Sequence, residues 1–278
     1  MYEIIVRKYI PSDEAALADY FARDDNTHYV KDTAHCDKFT VAEYNGVVAG
    51  YLYASIKAGN CHTFIYVSPE YRRLGVGTAL CYEAERLCRE IGEDEIWGYY
   101  YDNETMMFTD KLGFQFTTTH LNLEYTDDII PEPEIVRDIR KCREEDFERC
   151  QYLWNTGMHE MRVRVGYPDS KIYEPTEEDK EGFIKDLDNN FALEKDGRIV
   201  GYGIIAGDKI GALAVDMSMY NKGYGTALAI FMTNEILKRG YKTAYSGCEG
   251  KNINSRRVHE KIGYKVTKTA YNSFKRIE

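Results

Sequence analysis

The sequence predicts an α/β (α+β) fold that occurs twice along a chain of 278 residues. Short runs of β-branched and aromatic residues alternate with segments of helical periodicity, in the same order in both halves. In each half, two strand-like runs flank a two-residue turn, Asn-Gly at 45–46 and Asp-Gly at 196–197, which is the pattern of a β-hairpin. A glycine-rich turn then leads from a strand into a helix, at Gly75 and again at Gly223.

The first half contains eight predicted elements. They are a strand at 2–9, a helix starting at 12–15, a hairpin over 38–54, a strand at 61–67, a helix up to 91, a strand at 95–101, a helix over 105–112 and a strand at 115–125.

An acidic, proline-containing segment at 127–134 has no periodicity and separates the halves. It predicts domains at 1–128 and 135–278, joined by a linker at 129–134. The second series comprises a strand at 135–140, a helix start at 143–147, a hairpin over 191–205, a strand at 212–215 and a helix that runs to Gly240.

The register between the halves indicates a duplication. Val215 and Gly223 follow Val67 and Gly75 by 148 residues each, and Gly263 follows Gly113 by 150. This period is far longer than that of a solenoid repeat, so the unit of duplication is a whole domain.

The turn around Gly75 has the chemistry of an anion cradle. Helix N-termini present backbone N–H groups without intrahelical partners, at the positive end of the helix dipole. Gly75 and Gly77 let the backbone approach a phosphate, and Arg72 and Arg73 add positive charge. A tight turn with two surface arginines is the alternative interpretation.

The longer string Val-x-Pro-x-Tyr-Arg-x-x-Gly-x-Gly-x-x-Leu at 67–80 resembles the acetyl-CoA signature of the GNAT N-acetyltransferases. The order of elements also resembles the GNAT fold, over nearly the whole chain and twice. The resemblance implies two GNAT-like domains, each with a mixed, mostly antiparallel sheet that is flanked by helices and contains a splayed pair of parallel strands.

The resemblance also implies an activity, the transfer of acetyl from acetyl-CoA to a small amine by direct attack, with acetyl-CoA as co-substrate and without a metal. The implied cofactor-binding residues lie in both halves. They are Tyr66, Val67, Arg72, Arg73, Leu74, Gly75, Val76, Gly77, Thr78, Val215, Gly223, Tyr224, Gly225, Thr226, Asn252 and Ser255.

The catalytic candidates are divided between the halves. GNAT proteins carry a late motif with a tyrosine general acid, and Thr109 occupies that position in the first half. A threonine hydroxyl is a very weak acid, which leaves His62 on the preceding strand as a candidate base or as a bystander.

In the second half Tyr220 replaces the arginine of the cradle, but the late motif is better preserved. Asn252 and Ser255 match the family positions, and His259 occupies the tyrosine position, where it is either a general acid or a helix-surface histidine. Glu249, at the end of the preceding strand, is a candidate base, directly or through water. Direct transfer needs no nucleophilic cysteine, so Cys248 is interpreted as a structural thiol.

Composition narrows the remaining classes. The net charge of −10 argues against nucleic acid as a partner, and no apolar run approaches the length of a membrane span. The seven scattered cysteines and the absence of a signal-peptide pattern at the N-terminus predict a cytoplasmic protein with free thiols. The expected partner is a small-molecule amine, and a homodimer is a further expectation.

Several alternatives stay open at this point. We expect the N-terminal half to bind acetyl-CoA best, while catalysis is assigned to neither half. A CoA-binding sensor without turnover, a larger acyl donor and a peptide N-terminus as acceptor are the rival hypotheses. Acceptor specificity is expected from segments 24–37 and 158–188, the second of which is alternatively a solvated acidic loop and helix.

Overall fold

The computed structural model describes residues 2–23, 39–57, 60–167 and 171–277. These residues form two compact units. The N-terminal unit contains Met1–Thr117 together with Tyr271–Glu278, and the C-terminal unit contains Thr118–Ala270.

The first half of the chain contains six strands and three helices among its described residues. Their bounds are β1 Ile4–Lys8, α1 Glu14–Arg23, β2 Phe39–Tyr44, β3 Val47–Lys57, β4 Asn60–Val67, α2 Val76–Glu90, β5 Glu95–Tyr100, α3 Asn103–Lys111 and β6 Gln115–Tyr125.

The second half repeats this order with one more helix in the part of the chain that is described. Its elements are β7 Ile139–Lys141, α4 Phe147–Val165, α5 Glu177–Lys185, β8 Asn190–Lys195, β9 Arg198–Ala206, β10 Lys209–Val215, α6 Tyr224–Lys238, β11 Ala244–Glu249, α7 Ile253–Lys261 and β12 Lys265–Arg276.

Each unit is built on a mixed sheet. In the N-terminal unit the strands run in the order β1, β2, β3, β4, β5, and in the C-terminal unit in the order β7, β8, β9, β10, β11. Neighbouring strands are antiparallel except for the pairs β4–β5 and β10–β11, which are parallel. The predicted fold class is therefore confirmed.

The strand that completes each sheet comes from the other half of the sequence. Residues 271–276 of β12 pair antiparallel with β5 in the N-terminal unit, and residues 120–125 of β6 pair antiparallel with β11 in the C-terminal unit. The predicted division into 1–128 and 135–278 keeps each last strand in its own half. The predicted division does not include the exchange of strands, because strands from distant parts of the sequence pair and no local pattern reports such a pairing.

Successive residues of β9 point to opposite sides of the C-terminal sheet. Helices cover both sides, α6 one and α4 the other. Ile205 belongs to the buried cluster around α6, whereas Tyr202 and Ile204 pack with the cluster around α4. The corresponding α2 cluster in the N-terminal unit includes Leu80. We call the two sides of the C-terminal sheet the α4 face and the α6 face.

The structure differs from the sequence prediction at 135–140. A 3-10 helix at Glu134–Asp138 precedes a strand of only three residues. Adjacent residues Ile135 and Val136 both turn inward, which an alternating strand does not allow but a helical turn that begins after Pro133 does. The described residues contain no helix with the length and apolar character that a membrane span requires.

Candidate active site

Both predicted cradles form. Gly75 and Gly223 have φ values of +91° and +88°, in the left-handed region that favours glycine, and each caps the helix that follows. The first helical hydrogen bond of α2 runs from Ala79 N to the carbonyl of Gly75, at 3.0 Å. The backbone amides that precede this bond point away from the helix and can bind an anion.

The two predicted arginines of the N-terminal cradle lie at its exposed rim. Arg72 donates from Nε to the carbonyl of Val67 at 3.2 Å, and Arg73 forms an exposed ion pair with Glu104. An exposed ion pair contributes little to stability, so both guanidinium groups can turn toward a ligand at small cost.

The parallel strands separate near both cradles, but to different extents. Strands β4 and β5 pair over three positions, from Cys61 to Thr63 on β4. Strands β10 and β11 pair at one position, Lys209 opposite Tyr245, so nearly all of β10 is separated from β11. The longer opening therefore lies in the C-terminal unit.

A cavity of about 540 Å³ occupies the opening between β10 and β11. All residues that the sequence predicts as functional in the second half line this cavity. They are Val215, Gly223, Tyr224, Gly225, Thr226, Glu249, Asn252, Ser255 and His259.

On the α6 face of this cavity, His259 is hydrogen-bonded at both ring nitrogens. Its Nδ1 lies 2.9 Å from the carbonyl oxygen of Ser255, which can only accept, so Nδ1 carries the proton. Its Nε2 therefore accepts from the Ser246 hydroxyl at 2.7 Å. The residue is only 2% exposed, and burial lowers the pKa of His259 below its usual value. His259 is consequently a neutral imidazole that holds the Ser246 hydroxyl in place.

The α4 face of the cavity carries a carboxylate and a second imidazole. Glu249 lies opposite His120 in the antiparallel pairing of β11 with β6, and its Oε1 is 3.6 Å from Nδ1 of His120. The other carboxylate oxygen of Glu249, Oε2, is buried and has no hydrogen-bond partner among the described residues. Leaving a buried acceptor unpaired costs free energy, which marks this position as a place for a hydrogen-bond donor.

Gly247 allows this arrangement. A Cβ atom at position 247 would lie 2.4 Å from Nε2 of His120, so the imidazole occupies the space that any other side chain would need. Glycine at this position therefore lets the ring lie across β11 beside Glu249.

Asn252 caps the N-terminus of α7 and accepts two hydrogen bonds. Its Oδ1 accepts from the backbone N–H of Ser255 at 3.4 Å and from the Arg164 guanidinium at 3.0 Å. Cys248 is buried beside these residues, and burial raises the pKa of its thiol to about 11. The thiol is therefore protonated at neutral pH, as a structural cysteine is.

The candidates in the N-terminal unit have different surroundings. His62 lies in the paired stretch of β4 and β5, opposite Trp97, with the two rings 6.4 Å apart. Thr109 is buried, and its hydroxyl donates to the carbonyl of Met106 at 3.0 Å.

Large side chains pack close to the N-terminal cradle and to β4. A Cβ atom at Gly77 would lie 3.3 Å from Cζ of Phe108, whereas the nearest atom at the equivalent Gly225 is Cγ2 of Val215, at 3.7 Å. The ring of Tyr66 stacks on Tyr51 with centroids 5.5 Å apart.

Sequence reasoning missed several residues that line the C-terminal cavity. Ser246 and His120 carry no local signal, because their partners are distant in sequence and β6 reaches this sheet only through the strand exchange. The apolar lining from α4 had a readable signal, because Trp154, Met158 and Met161 recur at helical spacing. Met158 and Met161 also lie within the segment 158–188 from which acceptor specificity is expected. Segment 24–37 lies outside the described residues.

No three His, Cys, Asp or Glu side chains within the described ranges lie close enough together to hold a metal ion. The expectation of a reaction without a metal stays a prediction.

Comparisons with solved structures give the same fold at low sequence identity. A GCN5-related N-acetyltransferase from Sphaerobacter thermophilus is 18% identical, with a TM-score of 0.73 over 99% of this chain and 96% of that one. A tandem GNAT protein from the clavulanic acid biosynthesis pathway is 12% identical, with a TM-score of 0.65 over 100% and 99% of the two chains. An acetyltransferase of the GNAT family from Colwellia psychrerythraea is 12% identical, with a TM-score of 0.59 over 99% of each chain.

No curated protein matches the sequence at a significant level. The sequence model of the Acetyltransferase (GNAT) family, in contrast, matches residues 1–114 and again residues 139–264. Both cradles and both parallel strand pairs lie inside the matched ranges. The chain therefore belongs to the GNAT family of acetyltransferases and carries two copies of its domain.

Proposed function

We propose that the protein transfers the acetyl group of acetyl-CoA to the amine of a small molecule, and that the C-terminal cavity is the site of transfer. One observation carries this proposal. The same cavity is lined by the anion cradle at Gly223 and by Glu249, whose buried Oε2 has no hydrogen-bond partner among the described residues. Donor and acceptor chemistry therefore meet in one space.

The α6 face of the cavity has backbone amides, open space and positive charge, which support it as the side that binds acetyl-CoA. The amides at the start of α6 suit the diphosphate of CoA, and Gly225 leaves room beside Val215 for the pantetheine arm. Tyr220 supplies no positive charge, but Arg257 and Lys261 line the cavity one turn apart on α7. These two cations provide positive charge that Tyr220 does not.

The reaction needs one base and no covalent intermediate. Glu249 accepts a proton from the ammonium, and the resulting amine attacks the thioester carbonyl carbon. The C–N bond forms and the C–S bond breaks. The nitrogen, which carries a positive charge after the attack, loses its second proton to solvent, and the thiolate of CoA leaves and takes a proton from solvent. A thiol has an unperturbed pKa of about 8.5, so the thiolate departs readily without a strong acid.

The role of His259 in this proposal differs from the one that its position in the late motif suggested. An acid needs an imidazolium, and burial opposes that form. His259 acts instead as a positioning residue that fixes the Ser246 hydroxyl through its 2.7 Å hydrogen bond.

The N-terminal unit keeps a complete cradle, and the expectation that it binds acetyl-CoA best stays a prediction. The packing of Phe108 against Gly77 argues for the C-terminal unit as the site of turnover. A CoA-binding sensor without turnover is the alternative, because the complete cradle and the better-preserved late motif lie in different halves of the chain.

Replacement of the proposed base tests the function. Glu249→Gln should lower the rate of amine-dependent CoA release by about 10²-fold or more, with the dissociation constant of acetyl-CoA unchanged. Glu260→Gln is the matched control, because Glu260 is exposed on α7 and pairs with Arg256. Release of CoA at the wild-type rate by Glu249→Gln would exclude Glu249 as the base, and absence of amine-dependent release from the wild type would support the sensor.

A further inference from the structure

Apolar side chains of α4 line the α4 face of the C-terminal cavity. Trp154, Met158 and Met161 project from one side of α4, at spacings of four and three residues, and all three line the cavity. Helix α4 lies close against β10, since a Cβ atom at Gly157 would be 4.0 Å from Cβ of Ala214. This part of the lining is therefore apolar and rests on regular secondary structure.

Charge in the cavity is unevenly distributed. Among the described residues that line it, Glu249 is the one carboxylate. Lys209, Arg257 and Lys261 are cations, and Arg164 is paired with Glu160 outside the lining at 3.8 Å. Arg257 and Lys261 are the proposed partners of the donor phosphates, so a ligand with several positive charges would find a single carboxylate among these lining residues to pair with. A ligand with one ammonium can pair that charge with Glu249, and the rest of the molecule can contact the uncharged part of the lining.

The ammonium position is defined by two side chains on neighbouring strands. Oε2 of Glu249 is buried without a hydrogen-bond partner among the described residues, and His120 lies 3.6 Å from the other carboxylate oxygen. Both side chains lie on the same face of the sheet as α4, because Ser246 and Cys248, which alternate with Gly247 and Glu249, face α7. The carboxylate and the apolar stripe of α4 thus belong to the same side of the cavity.

We propose that the acceptor is a monoamine with an uncharged, apolar body, either an arylalkylamine or an alkylamine. Its ammonium pairs with Glu249 beside His120, and its body packs against Trp154, Met158 and Met161. Trp154 adds a π-surface that suits an aromatic body, and the methionines adapt to the shape of what they contact. This inference rests on the proposed acetyl transfer in the same cavity.

Steady-state kinetics with three probe amines and acetyl-CoA test the acceptor class. The probes are 2-phenylethylamine, putrescine as a dication and glycine as a zwitterion. We expect kcat/KM for 2-phenylethylamine to exceed the values for both other probes by at least about 10-fold, since burial of an aromatic body contributes well over 1.4 kcal/mol. Equal or faster transfer to putrescine or glycine would overturn the proposed class and leave acetyl transfer itself intact.

A charge introduced on the α4 stripe tests the placement of the acceptor. Met158→Glu should lower kcat/KM for 2-phenylethylamine by at least about 10-fold, narrow its advantage over putrescine and leave the dissociation constant of acetyl-CoA unchanged. Met107→Glu is the matched control, because Met107 is 61% exposed on α3. An unchanged ratio of the two amines in Met158→Glu would overturn the placement.

Calorimetric binding of acetyl-CoA, measured beside turnover, distinguishes failure of the proposed function from failure of the proposed acceptor class. If acetyl-CoA binds and no amine is acetylated, both the proposed function and the acceptor class are wrong. If one of the other probes is acetylated preferentially, only the acceptor class is wrong.

Discussion

The Nδ1 atom of His120 lies 3.6 Å from Oε1 of Glu249, across the antiparallel pair that β6 forms with β11. Glu249 belongs to the second half of the sequence, whereas His120 lies on the last strand of the first half. The side chains around the proposed base therefore come from both halves of the duplicated sequence, through the strand exchange.

Loss of the His120 imidazole should reduce turnover without affecting the donor. We expect His120→Asn to lower kcat by about 10-fold, because Glu249 loses the neighbour that orients it, and to leave the dissociation constant of acetyl-CoA unchanged. Initial rates and calorimetry measure the two effects. His159→Asn on α4 is the control, since His159 is not among the described lining residues of the cavity. Equal rates for wild type and His120→Asn would contradict a role for this residue.

The strand exchange makes the end of the chain a structural part of the N-terminal unit. Phe274 stacks on Trp97, Ser273 and Ile277 are buried, and Lys275 pairs with Glu85 at 2.7 Å. Deletion of residues 271–278 should therefore destabilise the N-terminal unit by at least ~3 kcal/mol. Limited proteolysis of the truncated protein should give early cuts in the first half of the chain. Cuts confined to 118–270 would contradict the exchange.

His259 gives stability a specific pH dependence. Burial lowers the pKa of folded His259 below 6.5, so the unfolded chain binds a proton at a pH at which the folded protein does not. The contribution is full above pH 6.5 and is lost as the pH falls from 6.5 toward the lower pKa of the folded state. Urea unfolding at pH 7.5 and 5.0 should show a smaller loss of stability for His259→Asn than for wild type.

The same variant should be less stable than wild type at pH 7.5, by about 2 kcal/mol, because the buried Ser246 hydroxyl loses its acceptor. Parallel pH dependences of the two proteins would show that His259 is not the neutral, buried group described here.

The cations of α7 should contribute to binding of the donor phosphates. We expect Arg257→Gln to weaken acetyl-CoA binding by about 5- to 20-fold and to reduce its dependence on salt concentration. Calorimetry at 50 mM and 300 mM NaCl measures both effects. Arg256→Gln, next in the chain, should leave affinity unchanged, because Arg256 is an exposed partner of Glu260. Equal losses in both variants would indicate a general effect of charge.

Local chemistry explains which parts of the fold the sequence predicts. The two hairpins and both cradles depend on residues that adopt left-handed backbone conformations, such as Asn45, Gly46, Gly75 and Gly223. Periodicity also locates most helices and strands, because it reports which face of each element is buried.

The features that the sequence does not predict depend on contacts between distant residues. His120 and Ser246 gain their roles from partners on other elements, and the exchange of β6 and β12 is invisible to a local pattern. The choice of the half that carries the active site also depends on contacts between distant residues. The motif around Arg72 favours the N-terminal half, whereas the longer opening between β10 and β11 and the size of Phe108 favour the C-terminal unit.

Binding of acetyl-CoA to two matched glycine variants tests the central claim most directly. Gly225→Glu and Gly77→Glu each place an anionic side chain in one cradle, at positions where the backbone needs no left-handed conformation. If the C-terminal cavity is the site of transfer, Gly225→Glu loses both acetyl transfer and one calorimetric binding site, while Gly77→Glu keeps its turnover. Loss of turnover in Gly77→Glu with full activity in Gly225→Glu would move the active site to the N-terminal unit and contradict this account.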